Sequence, residues 1–151
     1  MQYLPIGINL AGKRVLIVGG GSVALRKIET LEQYTHDLWV LAPAIRDEIR
    51  NRTWINTVER EYRQNDLDGF FIVIAATDDK DLNLTIAGDA RQYGSLVSVA
   101  SDPAAGDFIS PAVYNNGNLS VAVSSDGLDV KKSVRWLNRI ARFCSEGFPD
   151  N

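Results

Sequence analysis

The four apolar residues from Val15 to Val18 run directly into three glycines, and a segment that suits a helix follows. Short, wholly apolar runs are typical of parallel strands that are covered on both faces. Glycine permits the tight turn that such a strand needs before a helix can fold back on it. This strand–turn–helix unit predicts an α/β fold, and the glycines form either a simple turn or a ligand site.

The same alternation of apolar and amphipathic segments continues as far as residue 103. Parallel strands joined by helices form right-handed crossovers, so this spacing predicts an α/β fold with a Rossmann-like, mostly parallel sheet in residues 1–103. After the first run, strands are predicted at 38–41, 55–59, 70–75 and 96–100, and helices at 22–34, 44–51 and 79–93.

The pattern changes in residues 104–151. Two β-type runs, 108–114 and 119–124, flank the turn residues 115–118 and predict a β-hairpin outside the parallel sheet. A helix with one apolar half and one basic half is predicted from Val130 to Cys144. The apolar half consists of Val130, Ser133, Val134, Trp136, Leu137, Ile140, Ala141, Phe143 and Cys144.

The apolar half of that helix is broader than one short hairpin can cover. It favours a hairpin-plus-helix dimerisation and substrate region that forms a homodimer, with packing on the sheet of the same chain as the alternative. The basic half is either a solvated face or a surface for an acidic ligand. It includes Lys131, Lys132, Arg135, Arg139 and Arg142.

Composition excludes several classes of function. A single cysteine, Cys144, and a single histidine, His36, permit neither an internal disulfide nor a zinc cluster, so no metal site is predicted and a reducing, cytoplasmic location is expected. The net charge of -3 argues against general nucleic-acid binding, which needs a basic surface. No apolar run approaches the ~20 residues that span a bilayer, so no membrane association is predicted.

The glycine-rich segment reads Gly19-Gly20-Gly21-Ser22-Val23-Ala24, which has the spacing G-x-G-x-x-A of a dinucleotide-binding turn. Gly19 would allow the tight turn, Gly21 would let the backbone approach a pyrophosphate, and Ala24 would let helix and strand pack closely. The N–H groups at the start of the helix suit a phosphate. A turn without a ligand is the alternative, because glycines also join strands to helices for geometric reasons alone.

Two further segments follow strands and are expected at the same edge of the sheet. After the second strand, the chain reads Leu41-Ala42-Pro43 and lacks the acid that usually binds the ribose, so the choice between NAD and NADP is left open. After the fourth strand, Thr77 and Asp78 are candidates for cofactor contact, for capping the next helix, or for both.

Four longer segments are distinctive when taken together: YLPIGINLAGKRVLIVGGGSVALRK, IAATDDKDLN, VSVASDP and DFISPAVYNNGNLSVAVSSDG. In this order they resemble the precorrin-2 dehydrogenases of sirohaem biosynthesis, a family that includes the amino-terminal domain of fused sirohaem synthases. The resemblance implies a Rossmann domain, a dimerisation region and NAD-dependent oxidation of precorrin-2, an acidic tetrapyrrole, to sirohydrochlorin. The cofactor contacts that it implies are Gly19, Gly21, Ser22, Val23, Pro43, Ala44, Thr77 and Asp78.

The chain departs from that family at its catalytic position. Where family members usually carry the acid assigned to catalysis, this chain has Ser101, and Asp102 follows it. Asp102 is therefore the candidate for a catalytic base, with a structural role in a turn before Pro103 as the alternative. Asp107 is a second candidate, and capping of local backbone is its alternative.

Two further departures concern iron insertion, which some family members also perform. Residues 126–130 replace the serine and proline that follow the family's hairpin, and a single predicted helix follows. These differences leave ferrochelatase activity open. Two other functions stand beside the dehydrogenase: an NAD(H)-binding regulatory module and a non-catalytic scaffold that binds a tetrapyrrole.

Overall fold

The computed structural model describes residues 3–145, which fall into two compact units. The first unit is Pro5–Phe108, and the described part of the second joins residues 3–4 to residues 109–145. Within residues 3–145, no helix has the length and apolar character needed to cross a membrane. The division of function at residue 103 stays a prediction.

The first unit is built on a five-stranded parallel sheet. Its strands are β1 (Val15–Val18), β2 (Leu38–Leu41), β3 (Asn56–Val58), β4 (Ile72–Ala75) and β5 (Leu96–Val99). The spatial order is β3-β2-β1-β4-β5, so β1 lies in the middle and pairs along its whole length with β2 and β4. The Rossmann-like fold class predicted from the alternation is confirmed.

Three helices connect these strands: α1 (Ser22–Leu31), α2 (Asp47–Arg50) and α3 (Lys80–Gln92). The helix predicted at 44–51 is wrong in its first turn, because Arg46 is extended. The N–H of Arg46 donates to the carbonyl oxygen of Gly20 (3.0 Å), which holds this segment beside the glycine turn. Single 3₁₀ turns at Gln64–Leu67 and Pro103–Ala105 had no counterpart in the sequence pattern.

Helices cover both faces of the sheet, and for this reason β1 and β4 are apolar at every position. Successive residues of a strand point to opposite faces. Val15 and Ile17 therefore pack into one buried cluster with Ala24 and Ile28 of α1. Leu16 and Val18 pack into a second cluster on the other face, together with α3 residues Ile86, Ala87 and Ala90.

The second unit contains the predicted hairpin, in which β6 (Ala112–Asn116) pairs antiparallel with β7 (Leu119–Val123). Gly117 in the connecting turn has a φ of 60°, a left-handed conformation that favours glycine. The helix α4 (Val130–Ser145) packs against both strands of this hairpin.

The hairpin covers only the centre of the apolar half of α4. Ser133 is buried, and Leu137, Ile140, Ala141 and Cys144 are half-buried. The residues on either side of this stripe are exposed, and they are Val130, Val134, Trp136 and Phe143. Packing against the hairpin thus buries part of the predicted apolar half, and the aromatic side chains of Trp136 and Phe143 are exposed at its margin.

Candidate functional site

A cleft of about 800 Å³ opens at the carboxyl ends of β1, β2 and β4. Open α/β sheets bind ligands at this edge, where the strand order reverses on either side of β1. The volume is in the range of small-molecule and cofactor sites. The lining consists of Val18, the glycine turn Gly19–Gly21, residues 41–46, Glu61, Tyr62, residues 76–79 and Leu82.

Most of the predicted cofactor residues belong to this lining. Ser22 and Val23 are the first residues of α1, immediately after the glycine turn. Gly20 was not predicted as a contact, but it also lines the cleft, between the predicted contacts Gly19 and Gly21. The predicted residues that line the cleft directly are Gly19, Gly21, Pro43, Ala44, Thr77 and Asp78.

Contacts within the chain exclude a side chain at two of the three glycines of the turn, Gly19 and Gly20. Gly19 has a φ of 131°, and a Cβ built on it would collide with the carbonyl oxygen of Ala76. A Cβ on Gly20 would collide with the carbonyl oxygen of Ala44. The fold itself therefore requires both of these residues to be glycine.

Gly21 differs from its neighbours because nothing in the chain needs its small size. Its backbone is extended, with a φ of −90°, and a Cβ built on it would meet no atom within 4 Å. No side chain caps the N-terminus of α1, and its first turn contains no acidic residue. An open approach to uncapped helix N–H groups is what a pyrophosphate needs, so the residues present fit a dinucleotide.

The segment between β3 and β4 brings two more side chains to the cleft, Glu61 and Tyr62. Tyr62 donates its hydroxyl to Asp89 on α3 (2.9 Å), and burial together with this bond raises the pKa of Tyr62 well above its usual value. Arg60 forms a bidentate ion pair with Asp66, and this hydrogen bonding holds the pKa of Asp66 below its usual value. The segment is therefore anchored on both sides of the two cleft residues.

The charges that line the cleft are mostly negative. Glu61, Asp78 and Asp79 contribute three carboxylates, and Arg46 contributes a cation. The guanidinium of Arg46 forms two hydrogen bonds with Glu48, and this pairing raises the pKa of Arg46. None of the described hydrogen bonds or ion pairs engages the carboxylates of Glu61 and Asp78.

The residue that caps α3 is Asp79, because its Oδ1 accepts hydrogen bonds from the N–H groups of Asp81 (2.9 Å) and Leu82 (3.1 Å). Thr77 supports this cap from outside the helix: its Oγ1 accepts from the N–H of Asp79 (3.2 Å). Asp78 has no part in the cap, so its exposed side chain stays available to the cleft.

The amide of Asn83 lies behind Thr77 and is completely buried. Its Oδ1 accepts from the N–H (3.1 Å) and the Oγ1 (2.8 Å) of Thr77, and its Nδ2 donates to the carbonyl oxygen of Thr77 (3.0 Å). The same Nδ2 donates to the Oγ of Ser101 (3.2 Å). Ser101 is thus joined to the wall of the cleft through Asn83.

The two acids considered for catalysis have different surroundings. The Oδ1 of Asp102 accepts from the N–H of Ala104 (3.1 Å) and caps the short 3₁₀ turn, while the side chain is exposed. Asp107 uses both carboxylate oxygens, one for the Nε of Arg91 (2.9 Å) and one for the N–H of Val97 (2.9 Å). Asp107 therefore binds local backbone, which is the structural role considered as the alternative to catalysis.

Asn83, Glu61 and Tyr62 were not recognised from the sequence. For Asn83 a signal exists, because it shares helical spacing with the apolar residues Ile86, Ala87 and Ala90, and a polar residue on such a face needs buried partners. Glu61 and Tyr62 follow a short, polar strand and carry no comparable signal.

Comparison with known proteins adds independent findings. A family model described as putative NAD(P)-binding matches residues 6–112. The siroheme synthases of Pseudomonas fluorescens (strain SBW25) and Azotobacter vinelandii (strain DJ) are 42% and 43% identical to the chain over 130 and 131 residues, covering 84% of it. The chain spans 28% of the length of these relatives.

A solved structure titled SirC, precorrin-2 dehydrogenase, is similar to this chain with a TM-score of 0.72 and 26% sequence identity. The match covers 97% of this chain and 71% of that chain. The family resemblance found in the sequence is thereby confirmed.

We predict that Gly21→Asp weakens NAD binding by at least about 100-fold while the protein stays folded. The new side chain would start from a position where a Cβ meets no atom within 4 Å, and its charge in the cleft would repel a pyrophosphate. Isothermal titration calorimetry measures the affinity, and thermal unfolding verifies the fold.

Gly88→Asp is the matched control for this variant. Gly88 lies on α3, and a Cβ there also meets no atom within 4 Å, but the position does not line the cleft. It should bind NAD as the parent does. Unchanged affinity in folded Gly21→Asp would place the nucleotide site elsewhere.

Proposed function

Since the chain belongs to the NAD(P)-binding family whose model matches residues 6–112, we propose that it catalyses the NAD-dependent dehydrogenation of precorrin-2 to sirohydrochlorin in sirohaem biosynthesis. The observation that carries this proposal is the similarity to a precorrin-2 dehydrogenase over 97% of the chain. The identity to siroheme synthases supports the same reaction. A cytoplasmic location, expected from the single cysteine, is part of the proposal.

The charge of the cleft supports NAD over NADP. A 2′-phosphate would add negative charge at a site that already holds Glu61, Asp78 and Asp79, and the one cation among the described lining residues, Arg46, is paired with Glu48. Like charges in a cleft repel each other strongly when water is partly excluded. Glu61 would offer a carboxylate to a ribose hydroxyl and so would substitute for the acid that is missing after β2.

The reaction removes two hydrogens from precorrin-2, one as a hydride and one as a proton. Bound NAD supplies the hydride acceptor. The chain would orient the reactants through the glycine turn, Pro43, Ala44 and the Thr77 segment. The proton would go to Asp102, whose second carboxylate oxygen is not used by the Ala104 N–H, and from there to water.

The basic face of α4 suits the acidic substrate. The helix contains five basic residues and no acidic one, so its charge complements the carboxylates of a tetrapyrrole. Solvation of this face is the alternative. The basic residues are Lys131, Lys132, Arg135, Arg139 and Arg142.

We also propose that the protein forms a twofold homodimer through the margin of α4. Trp136 and Phe143 are 53% and 59% exposed, although both belong to the apolar half of the helix. Exposed aromatic side chains next to a packed stripe are typical of interfaces between subunits. A second copy would cover them with the same surface.

The experiment that tests the function mixes the protein with NAD and anaerobically prepared precorrin-2 and follows NADH by its absorbance. We expect NADH and sirohydrochlorin to form in equal amounts. NAD binding without turnover would favour a regulatory module. Tetrapyrrole binding without turnover would favour a non-catalytic scaffold.

We predict that Asp102→Asn lowers kcat for dehydrogenation by at least about tenfold and leaves NAD affinity unchanged, because a general base contributes at least about that much. Asparagine also serves as an N-cap, so this substitution keeps the bond to the Ala104 N–H and removes only the basicity. Stopped-flow measurement of NADH formation gives the rate.

Ser101→Asp is the companion variant, and it should keep or raise the activity because it restores the acid usual in the family. Full activity in Asp102→Asn would show that water or the substrate's own carboxylates take the proton.

We predict that Trp136→Glu converts the homodimer to a monomer of 16.7 kDa at micromolar concentration, because the substitution removes the aromatic surface that the second copy would cover and leaves a charge in its place. Light scattering measures the mass. Leu84→Glu is the control, since Leu84 is an exposed apolar residue on α3 in the other unit, and this variant should stay dimeric. A parent protein that scatters as a monomer would refute the assembly.

A further inference from the structure

The side chain of Asn83 is buried and has no role in the proposed reaction as described so far. It is fully buried, and its amide makes four hydrogen bonds, three with Thr77 and one with Ser101. A buried amide costs free energy unless its donors and acceptors are all matched. The hydrogen-bond partners of the Asn83 amide lie on two loops that follow the neighbouring strands β4 and β5. A side chain that bonds to both loops fixes one against the other, which is a role beyond packing.

The two loops leave the sheet side by side. Ala75 of β4 pairs with Val99 of β5, and the last bond of this ladder runs from the Ala100 N–H to the Ala75 carbonyl (2.9 Å). Beyond this bond, the segment after β4 continues into Thr77 on the wall of the cleft, and the segment after β5 continues into Ser101. Asn83 joins these two segments at this point through its hydrogen bonds.

The partners of Asn83 leave no doubt about the orientation of its amide. The Thr77 N–H can only donate and must face Oδ1, while the Thr77 carbonyl can only accept and must face Nδ2. Ser101 lies on the Nδ2 side, so its Oγ accepts. The hydroxyl proton of Ser101 therefore points away from Asn83 and can be donated to another group.

We propose that Asn83 is a positioning residue that holds Thr77 against the cofactor and turns the hydroxyl proton of Ser101 towards the reactants. The proposal rests on the dehydrogenase function proposed above. In this role Ser101 contributes a hydrogen-bond donor at the position where related enzymes carry an acid; Ser101→Asp would lose this donor and regain that acid as a base. The same bond fixes the chain just before Asp102, so the proton acceptor keeps its place.

The test uses Asn83→Asp, which has nearly the same shape. A carboxylate still accepts from the Thr77 N–H and Oγ1, but it cannot donate to the Thr77 carbonyl, and Ser101 would turn its hydroxyl proton to it. We expect NAD affinity, measured by calorimetry, to fall about tenfold, as loss of a buried hydrogen bond predicts. We expect kcat to fall about tenfold as well.

Ser101→Ala separates the two effects and keeps the proposal testable if Asn83→Asp does not fold, because Ser101 is exposed and its replacement is small. It should lower kcat about tenfold without changing NAD affinity. In the Ser101→Ala background, Asn83→Asp should lower kcat less than about threefold, because the two residues act through one bond.

Ser95→Ala is the matched control. Ser95 is also buried and donates to a backbone carbonyl, that of Phe70 (2.6 Å), but it lies at the opposite end of β5 from Ser101. This variant should lose thermal stability and keep both kcat and NAD affinity. A purely structural role of Asn83 would make its variant behave in the same way.

The outcomes separate this inference from the proposed function. An inactive parent protein would refute the dehydrogenase, and NAD affinity of the Asn83→Asp protein would then decide the role at Thr77. An active parent with full kcat in Ser101→Ala, or with parental NAD affinity in Asn83→Asp, would overturn the positioning role and leave the dehydrogenase intact.

Discussion

The contact of the glycine turn with the ends of its neighbouring strands is the constraint on which the rest of the site depends. Gly19 and Gly20 lie against the carbonyl oxygens of Ala76 and Ala44, so any side chain on them would push the strand ends apart. The bond from the Arg46 N–H to the Gly20 carbonyl secures the same arrangement. Because these backbones touch, the ends of β1, β2 and β4 form one cleft.

The polar groups at this edge divide into those that hold loops and those that face the cleft. Asp79 and Asn83 are occupied by hydrogen bonds within the chain, so they determine where the loops run. Glu61 and Asp78 line the cleft, and no described hydrogen bond or ion pair engages their carboxylates. This division means that hydrogen bonds hold the loops where the cofactor would bind, while two carboxylates are left for recognition.

Much of the fold followed from local pattern, and most of the misplaced details involved contacts between distant residues. Strands β1, β2, β4 and β5 and the glycine turn were predicted because apolar runs and glycines mark them directly. The helix start at Ala44 was wrong because Arg46 bonds to Gly20 across the turn. Thr77 and Asp78 were considered for the helix cap, but Asp79 provides it, since neighbouring capping residues compete and local geometry selects one.

The sequence by itself determined the parallel α/β architecture and the edge at which a ligand would bind, because burial on both faces of a strand and the freedom of glycine are properties of adjacent residues. Only the tertiary structure decided which polar side chains meet there. Asn83 reaches Ser101 across 18 residues, and the Glu61 segment is anchored through Tyr62 to α3. Such meetings depend on strand register and helix packing, which bring together residues that no local pattern connects.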